Sequence, residues 1–307
     1  MEALLHRAFG SSTPVSYQRT PDGVSTQVYR LTRRSDVLYL RVAEEEDESL
    51  AVDVELHREL RRQGVRVPEV VYLEPFDPVI GRSVLITTEI PGAPLSQANS
   101  ASAAAIVARA AGRDLATLNR LPVHGFGWIR RDTTAWPLAA ELPTYAEFVT
   151  SYLPPDWPGT LASLFSNAQL KEIEAIIDTE RGHDLPHGRL AHGDFDATAI
   201  FEKEGQYTGL IDFGEIRGTE PLYDLGHFHL HDGETFAAPL LTHLLEGYQE
   251  VADPPPDHSE QIWRSAVLLG LRQLCRWISP ERGRPLDHPS VRHRARRLTE
   301  LLTSSGT

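Results

Sequence analysis

The hydrophobic pattern changes at Pro91-Gly92 from mainly strand-like to mainly helical, and that change points to a strand-rich part followed by a helical one. Before it, residues 25–31 (STQVYRL) and 37–42 (VLYLRV) alternate side-chain types as half-buried strands do, and Arg33-Arg-Ser-Asp between them suits a hairpin turn. A helix is predicted over about residues 49–63, where Leu56 and Leu60 stand one turn apart and Gly64 follows. Residues 67–72 (VPEVVY) and 83–89 (SVLITTE) add two apolar strands. Past Pro91-Gly92 the alanine-rich stretch 101–121 opens a series of helices. Two segments between 144 and 177 are broken by Pro154-Pro155 and Pro158, and further helices are predicted at about 235–251, 261–278 and 288–303. Residues 190–213 read as a loop and two short strands turning at Glu204-Gly205. The expected class is therefore α+β, with a small antiparallel-sheet lobe over residues 1–90 and a larger, mainly helical lobe over 91–307.

At 307 residues and 41% hydrophobic, the chain can bury cores for both lobes. No run approaches the roughly 18 apolar residues of a membrane span, and the start MEALLHRAFG lacks the features of a signal peptide. A cytoplasmic location without membrane contact is expected. Cys275, the sole cysteine, excludes an internal disulfide and sits in a helix-like setting that suits a core thiol. The net charge of -13 argues against a nucleic-acid partner, because phosphate backbones need a basic face. Such a field would draw in a cationic small molecule, although acidity also serves solubility. The acidic run at residues 44–48 reads as a solvated loop.

Chemistry concentrates between residues 190 and 215. A turn carrying Asp194 precedes a strand hairpin that ends at Asp212, so carboxylates from two loops could converge on one pocket. Phosphoryl transfer needs such a pair. One carboxylate orients the acceptor hydroxyl and takes its proton, while the other holds the metal that neutralises phosphate charge. Glycoside hydrolysis also uses paired carboxylates, but the strand-rich lobe and hairpin spacing argue against it. His227, His229 and His231 alternate in a segment that looks helical or irregular, which would not bring all three to one side as metal ligands.

His192-Gly-Asp-Phe, the eighteen-residue step from Asp194 to Asp212, and the literal Asp212-Phe-Gly resemble the catalytic and metal loops of the aminoglycoside phosphotransferase family. Pro221-Leu-Tyr-Asp-Leu resembles the stretch that follows them, residues 64–68 the turn after the first helix, and Thr87-Thr-Glu-Ile-Pro-Gly the hinge. Leu115-Ala-Thr-Leu-Asn resembles the family's Leu-Ala-x-Leu-His helix with Asn119 in place of histidine, and the likeness runs from about residue 24 to 248.

The resemblance implies a two-lobed protein-kinase-like fold and an ATP- or GTP-dependent kinase acting on a small-molecule hydroxyl, such as that of an aminoglycoside-like antibiotic. Macrolides, amino alcohols and sugars are alternative acceptors. It implies Asp194 as the catalytic or substrate-orienting group and Asp212 as the Mg2+ ligand. His192 is a candidate for direct chemistry, set against a bracing role in which it and Gly193 shape the loop. Adenine would meet the backbone of Thr88 and Ile90 at the hinge, and Asp224 reads as a buried carboxylate supporting the catalytic loop.

Three positions depart from the family pattern. Arg41 stands where a lysine commonly pairs with the α- and β-phosphates; Lys171 and Lys203 are the only lysines, so the first lobe has none. Arginine keeps the charge with a different reach. Its acidic partner would be Asp53 or Glu55 on the following helix. Ala199 stands where the family places an asparagine that is the second metal ligand, leaving Asp196 or Thr198 as a substitute oxygen, Asp196 preferred. The phosphate loop Asp22-Gly-Val-Ser-Thr-Gln has one glycine, so Ser25 and Thr26 would donate to phosphate. A different class of reading, a silent nucleotide-binding module, would take Arg41 and Ala199 as signs of lost transfer, but such a module needs no Asp194 and Asp212 pair.

Overall fold

The computed structural model describes residues 1–10, 14–20, 27–46 and 48–304, so Ser25 and Thr26 lie outside the described residues. Helix α1 (Glu2–Phe9) precedes strands β1 (Val15–Arg19), β2 (Gln27–Arg33) and β3 (Asp36–Val42). Helix α2 (Ala51–Arg62) is followed by β4 (Val70–Asp77) and β5 (Arg82–Thr88). These strands form one antiparallel sheet in the order β1-β2-β3-β5-β4.

Period-two alternation along β3 buries Leu38, Leu40 and Val42 on one face, where Leu4 and Leu5 of α1 join them. Arg41 therefore points to the other face, in register with Val28 and Leu85 of its neighbours. Because β3 lies inside the sheet, Arg41 is held from both sides and is not an edge-strand side chain.

Beyond the hinge, β6 (Ala93–Pro94) and α3 (Ala101–Asn119) lead into β7 (Pro122–Val123), β8 (Phe126–Ile129) and β9 (Ala140–Leu142). Helices α4 (Tyr145–Thr150), α5 (Trp157–Leu161) and α6 (Asn167–Arg181) follow. Then come β10 (Gly188–Ala191), β11 (Ile200–Lys203), β12 (Gln206–Leu210) and β13 (Arg217–Thr219). Helices α7 (Tyr223–His231), α8 (Leu241–Gln249), α9 (His258–Ile278) and α10 (Pro289–Ser304) close the order. Two small sheets, β7-β10-β13-β8-β9 and β12-β11-β6, frame the segment that carries the two aspartates.

The elements on either side of residue 90 share a core. Val52, Leu56 and Leu60 of α2 pack in the same buried cluster as Leu115 of α3, Leu244 of α8 and Phe213. Each fully buried leucine there contributes about 2 kcal/mol of apolar burial, so α2 shares a core with the second lobe as well as packing on its own sheet. Arg66 adds polar ties, its amide donating to Asp114 (2.9 Å) and its carbonyl accepting from the Leu210 amide (2.8 Å). A second cluster joins α4, α6, α9 and α10, and Cys275 is buried within it. Among the described residues no helix is long and apolar enough to cross a membrane.

Candidate active site

Asp194 follows β10 on a loop held by a buried carboxylate. Asp224, fully buried near the start of α7, accepts from the amides of His192 (2.8 Å) and Gly193 (2.9 Å) and from Asn119 Nδ2 (2.8 Å). Asn119 also donates to the Leu190 carbonyl (2.9 Å), so α3, β10 and α7 meet at this one anion. Three donors compensate its burial. Gly193 has φ +90°, and a Cβ there would come within 1.8 Å of the Glu215 carbonyl oxygen, so the turn requires glycine.

His192 is fully buried and does not reach the cleft. Its Nε2 donates to the Ile211 carbonyl (2.8 Å), and its ring packs on Phe195 and Phe213 at 5.5 and 4.8 Å between centroids. Direct chemistry at His192 is thereby corrected to bracing: it ties the Asp194 loop to the residue before Asp212.

The Asp194 side chain is 58% exposed and stands at one end of a cavity of about 400 Å³. His227 of α7, itself buried, places Nε2 3.2 Å from Asp194 Oδ1 and Nδ1 3.1 Å from the Phe195 carbonyl. The hydrogen bond from His227 and its charge hold Asp194 far below the usual carboxylate range, against burial. Burial pushes His227 down, but the hydrogen bond and charge of Asp194 outweigh it and raise the pKa. Asp194 is thus a fixed carboxylate facing open space.

Asp212 adopts φ 67°, ψ 61°, a left-handed conformation costing about 1 kcal/mol or more. Next to it, Gly214 leaves a cradle open: the position its Cβ would take lies 3.6 Å from Asp212 Oδ1 and 4.0 Å from Arg41 Nη2. Arg41 Nη1 pairs with Asp53 Oδ1 at 3.1 Å, while Glu55 is exposed and pairs with Arg58 (2.8 Å). The acidic partner is therefore Asp53, not Glu55, because Asp53 lies on the buried face of α2. The second oxygen of Asp53 holds Arg131, from the segment after β8. One buried carboxylate thus anchors two guanidiniums, one from each lobe.

Ala199 is buried, and its neighbour Asp196 is occupied as a loop cap, with Oδ1 accepting from the Thr198 amide (2.7 Å) and hydroxyl (2.6 Å). Among the described residues no group of three His, Cys, Asp or Glu side chains is placed to hold a metal. Asp196 thus spends Oδ1 on its own loop. The open cradle beside Asp212 nevertheless fits Mg2+ carried in by a nucleotide, since that ion commonly takes one or two carboxylates and otherwise phosphate oxygens and water.

A model of the phosphotransferase enzyme family matches residues 16–259. The chain belongs to that family. Solved structures agree in fold. A thermostable mutant of the aminoglycoside phosphotransferase APH(4)-Ia, in its apo form, superimposes with TM-score 0.71 at 16% identity, covering 99% of each chain. A variant of that mutant in ternary complex with ADP and hygromycin B gives 0.70 at 15% identity, covering 100% of this chain and 99% of the other. The macrolide 2'-phosphotransferase MphH from Brachybacterium faecium gives 0.63 at 17%, covering 97% and 98%. No curated protein matches in sequence. This phosphotransferase has the two-lobed kinase-like architecture of those neighbours.

The hinge of the phosphotransferase carries Thr88, whose amide donates to the Glu69 carbonyl (2.9 Å) and whose hydroxyl accepts from the Glu69 amide (2.9 Å). The Ile90 side chain lies against Gly209 of β12. Two elements of the site escape sequence reading: His227 as the partner of Asp194 and Arg131 as a partner of Asp53. His227 stands three residues past Asp224 on one helix face, the only local signal it offers. Asp156, Trp157 and Glu234 of the helical lobe do not line the cavity. Trp157 is buried in the second core cluster, and Glu234 pairs with His231 (3.2 Å) and His293 (3.0 Å).

Proposed function

We propose that the protein transfers the γ-phosphoryl group of ATP to a hydroxyl of a small molecule bound in the cavity beside Asp194. The observation that carries this reading is the placement of Asp194: an ionised, half-exposed carboxylate at a cavity, on a loop made rigid by Asp224. Asp194 orients the acceptor hydroxyl and accepts its proton as the phosphoryl group leaves ADP. Arg41, held by Asp53, meets the α- and β-phosphates, and Arg131 stands close enough to share that task. Asp212 would hold Mg2+, which when bound would neutralise phosphate charge. Thr88 and Ile90 line the adenine end. The choice of ATP over GTP follows the ADP complex of the structural neighbour.

Incubation with ATP, Mg2+ and a panel of hydroxylated acceptors, including aminoglycosides, macrolides, amino alcohols and sugars, tests this by mass spectrometry. A phosphate-sized gain on one acceptor, lost in Asp194→Ala, is expected. Nucleotide binding without transfer to any acceptor would contradict it.

A further inference from the structure

We propose that the acceptor carries an oxyanion, a carboxylate or a phosphate, in addition to its hydroxyl, and that Arg272 and Arg276 of α9 bind it. This rests on the reading of Asp194 as the group that meets the acceptor. The cavity at Asp194 is walled by one face of α9, where Leu269, Arg272, Gln273, Arg276 and Trp277 recur at helical spacing.

Charge pairing inside the cavity is uneven. Asp194 is already paired with His227 at 3.2 Å. Glu215 is paired with Arg217 at 2.7 Å, and burial pushes its pKa up. Arg217 is spent on that pair and on stacking over Trp128, 4.3 Å from the ring centroid. Arg272 Nη2 donates to the carbonyls of Phe148 (2.8 Å) and Val149 (3.1 Å), and its plane lies 4.3 Å over the Phe148 ring. Those contacts fix the guanidinium without neutralising it, and its Nε is buried with no partner. Arg276, exposed one turn further on, makes no side-chain hydrogen bond or ion pair among the described residues. Its charge acts on Glu215, which places it on the cavity side of α9. Against these two guanidiniums the lining offers one carboxylate without a paired cation, Glu281.

A polyamine would have to exchange hydration of several ammonium groups for carboxylates already committed elsewhere, beside two uncompensated cations. An oxyanion meets the reverse: pre-positioned forked donors, one of them partly desolvated. The overall charge of -13 therefore does not set the sign of this cavity, and the cationic acceptor it suggested is not the one the local groups fit.

Matched probes decide the matter: gluconate and glucose 6-phosphate against glucose and glucosamine, and glycerate against glycerol. Affinity is read by calorimetry in the presence of a non-hydrolysable ATP analogue and Mg2+, and transfer separately with ATP. The anionic member of each pair is expected to bind about tenfold tighter or more, the scale of a charge-assisted contact. Carboxylate and phosphate probes differ in which gains most, which names the oxyanion. Arg276→Ala should reduce the preference to what Arg272 alone supplies, and Arg276→Glu should abolish it or turn it toward glucosamine; neither removes a folding contact. Equal binding, or none, across the pairs overturns the proposal, as does an unchanged preference in Arg276→Glu. Anion-selective binding with no transfer would instead overturn the kinase reading and leave this one standing.

Discussion

Replacing His227 by glutamine separates charge from hydrogen bonding at Asp194. Both ring nitrogens face acceptors, Nδ1 the Phe195 carbonyl at 3.1 Å and Nε2 the Asp194 carboxylate at 3.2 Å. Each contact needs a proton on nitrogen, so the fold favours the doubly protonated ring, in keeping with its raised pKa. A pKa raised on folding stabilises fully below the unfolded value of about 6.5, and that stability is lost as pH rises through the folded value. The same deprotonation leaves one N–H for two acceptors and removes the positive charge beside Asp194. It also makes Asp194 a stronger base, but the loose transition state of phosphoryl transfer depends more on positioning than on proton removal, so the rate should fall. A hydrogen bond to a charged group is worth about 1.5–3 kcal/mol. With the Asp194 side chain 58% exposed, solvent screening puts the loss at or below the low end, about tenfold in kcat. His231, stacked 4.7 Å from His227, has its pKa lowered chiefly by burial, so it stays neutral through the transition. Measured between about pH 6 and about pH 9.5 at saturating substrates, wild-type kcat should show an alkaline decline that the glutamine variant, a donor that does not titrate, lacks. The same decline in both proteins would refute the reasoning.

Other perturbations follow from the same contacts. Asp53→Ala leaves Arg41 and Arg131 without their shared partner, and should lower Tm and raise KM for ATP more than Arg131→Ala does. Asp224→Ala orphans three N–H donors, and should cost about 2–3 kcal/mol in chemical denaturation and reduce kcat while changing nucleotide Kd little. Ala199→Asn supplies the carboxamide that the family resemblance places here, and should lower the Mg2+ concentration needed for half-maximal nucleotide binding; an unchanged requirement would show that the buried position cannot reach the ion.

Where local chemistry decides structure, the sequence was enough to read it. The hairpin at residues 34–35, the turn at Glu204-Gly205 and the apolar face of α2 through Leu56 and Leu60 follow from side-chain period and turn residues alone. Helix α1 was not legible, since eight residues without a side-chain cap are marginal alone and hold because Leu4 and Leu5 pack on the sheet. The helix expected from about residue 235 begins at Leu241, because Asp232 accepts from the amides of Leu240 (2.8 Å) and Leu241 (3.1 Å) and anchors the preceding segment outside the helix. In the site, Asp194 and Asp212 were visible because their spacing is local. His227, Arg131 and Arg276 act through contacts between residues far apart in the chain, which only the assembled fold creates.

The central claim is a division of labour between Asp194 and Asp212. Once an acceptor is in hand, it is tested most directly by measuring single-turnover transfer and ATP affinity in parallel for Asp194→Asn and Asp212→Asn. The account predicts that Asp194→Asn loses about 10²- to 10⁴-fold in transfer with ATP affinity nearly unchanged, whereas Asp212→Asn weakens Mg2+-dependent ATP binding as well. Wild-type transfer by the Asp194 variant, or equal loss of ATP binding in both, would contradict it.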